Sequence, residues 1–162
     1  MYPPSDLQLN LETEDRIYFF ETAYGPLSNW SAHAVSIWGQ RFPSLEHGYH
    51  WRKFRDTAPE VAAAILQAGS PWMAMRIERW NKADRTPDWQ DVKVAVMREL
   101  VQAKSAQNED VRLCLAASGS KRLVENSPYD DFWGCGADGN GRNMLGELWM
   151  EVRTQLQASA RA

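Results

Sequence analysis

The sequence predicts a single-domain, mainly α-helical fold with a small antiparallel β element near the N-terminus. Its 162 residues suit one hydrophobic core. The β-rich segments are short and lie early in the chain, whereas apolar residues after Ser44 recur at helical spacing. The chain carries 44% hydrophobic and 24% charged residues, which is typical of a globular protein rather than a disordered one.

The N-terminal part of the chain supplies the predicted β element. Residues 1–15 are polar and contain prolines, so we expect a flexible arm ahead of a domain that covers residues 16–158. Residues 17–20 and 35–42 predict two short strands, and Gly39 predicts a tight turn within the second.

Each predicted helix begins at a residue or motif that favours a helix N-terminus. These are Ser44, the capping box Thr57-Ala-Pro-Glu60, Ser70-Pro71, Asp88, Asn108 and Asn143. The first helix runs to about Phe54. The longest begins after Asp88, and its apolar residues Val92, Val96 and Leu100 predict one buried face.

Composition and charge argue against several classes of protein. A net charge of −3 and a pI near 5.6 are unlike the basic surface of a dedicated nucleic-acid binder. Two cysteines form no disulfide framework, no apolar stretch approaches the roughly 20 residues that span a bilayer, and no secretory signal is visible. We therefore expect a cytoplasmic protein that does not bind a membrane. Eight tryptophans are unusual for this length, and several can line a pocket that stacks a flat ligand.

The first predicted helix carries three chemically active side chains on one face. Glu46, His50 and Lys53 lie at positions i, i+4 and i+7 after the Ser44 cap. A carboxylate, an imidazole and an amine together suit proton transfer or imine chemistry. The alternative is a solvated helix face without a chemical role, on which the helix dipole favours an acidic residue such as Glu46 in the first turn.

Residues 130–143 form a glycine-rich segment, Asp-Asp-Phe-Trp-Gly-Cys-Gly-Ala-Asp-Gly-Asn-Gly-Arg-Asn. Its glycines let the backbone approach a ligand, Trp133 can stack on a ring, and Arg142 lies beside a helix N-terminus that suits an anion. The alternative is a glycine-rich connector. The segment matches G-x-G-x-x-G from Gly134, but no βαβ unit surrounds it, which excludes a dinucleotide-binding fold.

A run of four cations can bind a phosphate or form a solvated helix end. The four are Arg76, Arg79, Lys82 and Arg85. The histidines and cysteines show no recognised ligand spacing, so the sequence predicts neither a metal nor a cofactor.

Together these motifs resemble the NADAR (YbiA-like) family, which includes N-glycosidases acting on early intermediates of riboflavin synthesis. The resemblance runs from about residue 17 to residue 156 and rests on the order and spacing of short blocks. The blocks are Leu27-Ser-Asn-Trp30, Pro43-Ser-Leu-Glu-His47, Lys53-Phe54, Ser70-Pro71, Arg85, Asp88-Trp89, Val92-Lys93, Met97, Leu123-Val-Glu125, Asp130, Trp133-Gly134, Gly136, Gly139, Gly141, Asn143 and Leu145-Gly146.

The resemblance implies a mainly α fold that hydrolyses an N-glycosyl bond without a required metal. It implies one of two substrate classes, a ribosylamino-pyrimidine phosphate of riboflavin synthesis or ADP-ribose attached to guanine in nucleic acid. Together with the residues singled out above, it gives the catalytic candidates Glu46, Lys53 and Asp130. The ligand-binding candidates are Asn29, Trp30, His50, Arg85, Trp133, Gly134, Gly136, Arg142 and Asn143.

The chain departs from the family pattern in the first helix. Where the family reads Glu-His-Tyr-Phe-Gln-x-x-Lys-Phe, this sequence reads Glu-His-Gly-Tyr-His-Trp-Arg-Lys-Phe from Glu46. Gly48 replaces an aromatic residue and costs about 1 kcal/mol relative to Ala in a helix interior. His50 replaces an amide with a titratable ring, which leaves the activity class in place and the substrate preference open.

Two mechanisms fit these residues. In both substrate classes ribose C1 carries an exocyclic amine, so the sugar can open to an imine that Lys53 attacks while Glu46 or Asp130 moves protons. This route requires a lysine pKa well below its ordinary value of about 10.4. Alternatively, Glu46 activates water for direct hydrolysis through an oxocarbenium-like state, and Trp133 stacks on the departing ring.

Two other functions stay open at this point. One is an antitoxin or repair hydrolase that removes ADP-ribose from guanine in nucleic acid, for which a local groove would suffice. The other is a non-catalytic module that binds nucleotide ligands and tolerates Glu46→Gln. The expected partner is thus a phosphorylated ribosylamine or an ADP-ribosyl compound, with modified nucleic acid as a possible substrate. No feature of the sequence indicates an oligomeric state.

Overall fold

The computed structural model describes residues 11–20 and 22–161, and its elements divide between two compact units. The terminal unit combines the chain up to Ser28 with the chain from Glu109 onward, and the central unit runs from Asn29 to Asn108. Six α-helices lie in the described residues, which confirms the mainly α prediction with a small β component. None of these helices is both long and apolar enough to cross a membrane.

In chain order the described elements are β1 (Leu11–Glu12), β2 (Arg16–Phe19), a 3₁₀ helix (Thr22–Leu27), β3 (Val35–Ile37), β4 (Gln40–Phe42), α1 (Leu45–Arg52), α2 (Pro59–Leu66), α3 (Pro71–Trp80), a second 3₁₀ helix (Lys82–Asp84), α4 (Trp89–Gln107), α5 (Glu109–Ala117), β5 (Arg122–Glu125) and α6 (Met144–Ser159).

A three-stranded sheet in the order β1-β2-β5 is the base of the terminal unit. Strand β1 pairs antiparallel with β2, whereas β5 pairs parallel with it and sets Ile17 opposite Leu123. Both side chains are fully buried, and α6 packs on β5. The buried Trp149 of α6 donates its Nε1–H to the Leu27 carbonyl at 2.8 Å, which ties α6 to the first 3₁₀ helix.

Helix α1 is the hub of the central unit, because it packs against α2, α3 and α4 and touches β4. Each of the neighbours β4, α2 and α4 contributes a completely buried side chain. These are Phe42, Ile65 and Leu100, respectively. A helix enclosed on three sides turns most of its polar side chains toward protein rather than solvent. This packing decides the environment of the three candidate side chains on α1.

Gly48 lies on α1 close to Leu100 of α4 and Phe42 of β4. A Cβ atom built there would lie 2.9 Å from Leu100 Cδ2 and 3.3 Å from the Phe42 ring. The close packing of these two buried side chains offsets the helix-propensity cost of a glycine. Leu100 and Phe42 therefore occupy the space beside position 48, so that a glycine fits where the family pattern has an aromatic residue.

The β structure differs from the sequence prediction in two ways. Residues 35–42 form two antiparallel strands, β3 and β4, rather than one, because Trp38 and Gly39 both adopt positive φ and close a two-residue hairpin. Strand β5 was not predicted, since its four residues, Arg-Leu-Val-Glu, are short and carry no alternating pattern. Its parallel pairing with β2 adds to the antiparallel element that the sequence predicts.

The helix starts agree with the predicted boundaries, although the capping interactions vary. The hydroxyls of Ser44 and Ser70 accept backbone N–H groups of α1 and α3, as predicted. The capping box at Thr57 is wrong: Ala58 occupies the N-cap position of α2, because the Thr57 hydroxyl donates to the Asp84 carbonyl at 2.6 Å. Tertiary contact thus outcompetes the local motif.

The predicted arm covers residues 1–15. Residues 1–10 lie outside the described part of the chain. Leu11 and Glu12 form β1, and the Glu12 carboxylate accepts a hydrogen bond from Lys121 Nζ at 2.8 Å.

We predict that Gly48→Tyr, which restores the aromatic residue of the family pattern, destabilises this chain. The ring would have to displace Leu100 and Phe42, and overpacking of this kind costs roughly 1–3 kcal/mol or more. The measurement is the free energy of unfolding from denaturant titration. Gly69→Ala is the matched control, because nothing lies within 4 Å of a Cβ at that position. An unchanged stability of Gly48→Tyr would contradict the packing account.

Candidate active site

Helix α1 begins at a well-formed cap and carries the candidate side chains at helical spacing. The Ser44 hydroxyl accepts the His47 N–H, and the Asn29 carbonyl accepts the Glu46 N–H at 3.1 Å. Lys53 is the C-cap residue and keeps helical backbone angles, so its side chain continues the face begun by Glu46. The local sequence therefore aligns the carboxylate, the imidazole and the amine on one side of α1.

These three side chains form a continuous hydrogen-bonded chain. Glu46 Oε1 lies 2.8 Å from His50 Nε2, and His50 Nδ1 lies 3.1 Å from Lys53 Nζ. The sequence prediction that these residues share a face is confirmed by the distances.

The chain of hydrogen bonds is buried, which excludes the solvated-face interpretation. His50 and Lys53 are each 5% exposed, and the Glu46 side chain is 13% exposed. Charged residues are almost never buried to this degree unless they are paired. Burial combined with charge pairing of titratable groups is typical of a functional site.

His50 occupies the middle of the chain as a neutral ring. Burial lowers the pKa of His50, with Lys53 and Arg85 adding to the effect, although the Glu46 carboxylate opposes it. The Glu46 carboxylate can only accept, so Nε2 carries the proton and Nδ1 accepts from Lys53. A neutral imidazole in this tautomer offers one donor and one acceptor, as a glutamine amide does. This explains how His50 can replace the Gln of the family pattern.

Glu46 and Lys53 lie at the two ends of these hydrogen bonds, and both have lowered pKa values. The lower values favour a carboxylate at Glu46 and a free amine at Lys53. Burial raises the pKa of Glu46, but His50 and Lys53 outweigh it and hold the pKa below its ordinary value. Burial and the Arg85 cation lower the pKa of Lys53 from 10.5 to about 7, against the opposing pull of Glu46. Lysine is therefore a mixture of amine and ammonium near neutral pH.

Two residues outside α1 complete the surroundings of Lys53. Glu78 of α3 is 2% exposed, and its Oε1 accepts a hydrogen bond from Lys53 Nζ at 3.0 Å. The same oxygen is paired with Arg85, which follows the second 3₁₀ helix. Glu78 is not among the residues that the sequence motifs predict for the site. A carboxylate flanked by Arg76, Arg79 and Arg85 in an otherwise basic run is the signal that could have identified it.

The aromatic rings around Lys53 further define its pocket. The Lys53 Nζ atom lies 4.7 Å from the centre of the Tyr49 ring and 5.2 Å from the centre of the Trp89 ring. Such faces attract a cation, so they partly oppose the lowering of the lysine pKa. They also shield the amine from water.

Two buried polar atoms in the central unit lack a hydrogen-bond partner among the described residues. They are Asn29 Oδ1 and Arg85 Nε. Asn29 is buried, and its backbone carbonyl accepts the Glu46 N–H. Arg85 is partly buried and pairs with Glu78. Unsatisfied buried groups of this kind are costly, and a ligand can satisfy them. Trp30, in contrast, is 45% exposed.

The remaining predicted residues lie in the terminal unit, on the glycine-rich segment. Asp130 Oδ1 accepts the backbone N–H groups of Phe132 and Trp133 at 2.9 and 2.7 Å. Asp130 thus orders the turn that carries the buried Trp133. Gly134 is closely enclosed, because a Cβ there would lie 3.0 Å from the Asp130 carbonyl.

The end of the glycine-rich segment is anchored to β5. Asn143 adopts a left-handed conformation, and its side chain makes no helix cap, contrary to the prediction. Instead it donates to the Leu123 carbonyl and accepts the Glu125 N–H, each at 2.8 Å. Gly136 has a φ of 69°, and the Arg142 guanidinium lies 4.7 Å from the centre of the Phe132 ring.

The structure therefore brings four predicted residues together in the central unit. They are Glu46, His50, Lys53 and Arg85. Asn29 and Trp30 also lie in the central unit, whereas the remaining predicted residues lie on the glycine-rich segment of the terminal unit. The assignment of these residues to the same active site stays a prediction. Of the basic run, Arg85 joins the buried cluster, whereas Arg76 lies 4.8 and 4.9 Å from the rings of Trp72 and Trp80.

His47 has a structural role. Its Nδ1 lies 2.8 Å from the Ser44 hydroxyl and its Nε2 lies 3.0 Å from the Ala68 carbonyl, so both ring nitrogens are engaged. Across residues 11–20 and 22–161, no group of three or more His, Cys, Asp or Glu side chains is placed to hold a metal ion.

Comparison with known proteins gives consistent matches over nearly the whole chain. The model of the NADAR domain family matches residues 18–157. The N-glycosidase YbiA of Escherichia coli (strain K12) is 36% identical over 142 residues, which are 86% of this chain and 88% of that protein. The Riboflavin biosynthesis protein VVA0006 of Vibrio vulnificus (strain YJ016) is 38% identical over 157 residues, 96% of this chain but 42% of that protein. The NMR structure of E. coli YbiA superimposes with a TM-score of 0.81 at 31% identity and covers 95% of this chain and 92% of that one.

We predict that Lys53 makes stability depend on pH in the alkaline range. With a folded pKa of about 7 and an unfolded pKa near 10.5, the unfolded chain holds one more proton between these values. Stability of the wild type relative to Lys53→Met should therefore rise with pH in this window, by up to about 1.4 kcal/mol per pH unit. Denaturant titrations of both proteins between pH 6 and 10 measure the difference. A flat difference would mean that the folded lysine keeps its proton.

Proposed function

The chain belongs to the NADAR domain family, and we propose that it is an N-glycosidase that hydrolyses the bond between ribose C1 and an exocyclic amine on a nucleobase-like ring. The observation that carries the proposal is the buried Lys53 amine, hydrogen-bonded to His50 and Glu78 and lowered in pKa to about 7. A buried lysine with this pKa is a nucleophile at neutral pH. Relatives named N-glycosidase support the same reaction class.

The proposed substrate is a phosphorylated ribosylamine of the kind found in riboflavin synthesis. A relative named Riboflavin biosynthesis protein supports this class, although this chain spans only 42% of its length. The net charge of −3 also favours a small substrate over a long polyanion. The unpartnered Arg85 Nε and Asn29 Oδ1 offer one donor and one acceptor to such a ligand.

The proposed mechanism passes through an enzyme imine. The ribosylamine ring opens when the C1–O4 bond breaks and O4 takes a proton, which leaves an imine between C1 and the base nitrogen. The neutral amine of Lys53 adds to C1, and one proton passes from the lysine nitrogen to the base nitrogen. A second proton follows the same way as the bond from C1 to the base nitrogen breaks, which leaves an imine between C1 and the lysine nitrogen. The base leaves as a free amine. Water then adds to C1 of the lysine imine and releases the sugar as an aldehyde together with the free lysine.

In this mechanism Glu46 and His50 move the protons that these steps require. The carboxylate of Glu46 is joined to Lys53 through the His50 ring, so a proton leaving Nζ can enter Nδ1 while another passes from Nε2 to Oε1. This path needs no movement of heavy atoms. The contribution of Asp130 stays a prediction, because its Oδ1 is occupied by two backbone N–H groups.

We predict that borohydride added during turnover traps the sugar on Lys53. Protein is incubated with a ribosylamino-pyrimidine phosphate or, separately, with an oligonucleotide carrying ADP-ribosylated guanine. Free base and sugar phosphate are followed by chromatography, and the adduct is located by peptide mass spectrometry. The expected result is release of base and sugar phosphate from the first substrate, with a reduced adduct on the Lys53 peptide.

Two variants sharpen this experiment. Lys53→Arg should lose the adduct and at least about 100-fold of the turnover rate, since a guanidinium is always protonated and cannot form an imine. Lys82→Arg is the matched control, because Lys82 is an exposed lysine and should keep both. An active Lys53→Arg variant with no adduct in the wild type would establish direct hydrolysis instead. Release from the oligonucleotide alone would overturn the substrate class, and release from neither would overturn the N-glycosidase proposal.

A further inference from the structure

The Lys53 amine donates a hydrogen bond to Glu78, which in turn pairs with Arg85. Glu78 lies in the last turn of α3, and Arg85 lies beyond the second 3₁₀ helix. We propose that Glu78 and Arg85 are positioning residues for Lys53: together they fix its amine in place and set the balance between its amine and ammonium forms. The inference rests on the proposed function in that Lys53 is taken as the nucleophile.

Geometry makes Glu78 the anchor of the amine. Its Oε1 accepts the hydrogen bond from Lys53 Nζ at 3.0 Å, and Glu78 is only 2% exposed. His50 Nδ1 lies 3.1 Å from the same nitrogen. A neutral amine has two N–H groups and one lone pair. When both hydrogens are donated to Glu78 and His50, the lone pair is left in a fixed direction, ready to attack.

Arg85 balances the charge of Glu78 and disfavours the ammonium form of Lys53. Its guanidinium pairs with the same Glu78 oxygen that accepts from Lys53. A buried carboxylate is unstable without a cation, and Arg85 supplies one that never loses its charge. Lys53 therefore does not have to stay protonated to balance Glu78. The Arg85 charge also repels an ammonium group at Lys53.

Other charged groups face Lys53 and set the background for this effect. From α1, the Glu46 carboxylate favours the ammonium form, and the buried His50 is neutral. From α3 and α4, the cations Arg79 and Lys93 disfavour it, with smaller effects than Arg85. The Glu78 carboxylate favours the ammonium form of Lys53, and the Arg85 cation disfavours it. Removing the charge of Glu78 should therefore lower the Lys53 pKa, and removing the charge of Arg85 should raise it.

The test is a pH titration of Lys53 by NMR in the ligand-free, full-length protein with ¹³C-labelled lysine side chains. The Lys53 signal is identified by its loss in Lys53→Met. The wild type should titrate near pH 7. Arg85→Gln should raise the midpoint by roughly one pH unit, and Glu78→Gln should lower it by a similar amount, because these are the sizes that nearby charges impose. Exposed Arg41→Gln is the charge-matched control and should leave the midpoint unchanged.

The sign of the shifts separates positioning from a general structural role. If Glu78 and Arg85 only support the fold, either substitution admits water and moves the midpoint upward, toward 10.5. Two upward shifts, or no shift, would overturn the inference. The double variant Glu78→Gln/Arg85→Gln removes both members of the Glu78–Arg85 ion pair, so neither is left without the other, and it should keep the midpoint near pH 7 even where a single variant is unstable.

The titration needs no substrate, so its outcome is independent of the trapping experiment. Opposite shifts combined with no sugar adduct would leave the positioning inference standing and overturn the N-glycosidase mechanism. An adduct combined with two upward shifts would leave the mechanism standing and overturn the roles of Glu78 and Arg85.

Discussion

The site depends on one interaction, the hydrogen bonding of the buried Lys53 amine between His50 and Glu78. An unpaired ammonium in this environment would be costly, and an unpaired amine would be free to rotate. Burial and the Arg85 cation lower the lysine pKa without removing the partners that hold its nitrogen. The same burial that makes the charged group costly to fold thus leaves part of the lysine as a free amine near neutral pH.

The packing of the central unit is what makes this arrangement possible. Helix α1 carries the reactive side chains, and α3 delivers Glu78 against it. Gly48 lets α1 approach α4 closely, with Leu100 and Phe42 filling the space of an aromatic side chain. His50, kept neutral by burial, supplies the donor and the acceptor that a glutamine would supply. Packing therefore accommodates Gly48, and hydrogen bonding accommodates His50, at the two positions that depart from the family pattern.

The sequence predicted what depends on local periodicity and caps, and it missed what depends on tertiary packing. The spacing of Glu46, His50 and Lys53 predicted their common face, because helix geometry fixes it. No spacing rule relates Lys53 to Glu78, which is 25 residues away along the chain. The Thr57 motif and the Asn143 cap failed because each side chain found a distant backbone partner. Strand β5 was not predicted, because a strand of four residues has too short a sequence pattern and forms only by pairing with β2, which is distant along the chain.

The central claim is that Lys53 acts as a free amine, and the pH dependence of kcat/KM tests it most directly, since this ratio reports groups of the free enzyme. The account predicts that kcat/KM rises with pH through a midpoint near 7, as Lys53 loses its proton, and then reaches a plateau. If Lys53 instead serves as a cation that binds the substrate phosphate, kcat/KM would fall through the same midpoint. A falling profile would contradict the account.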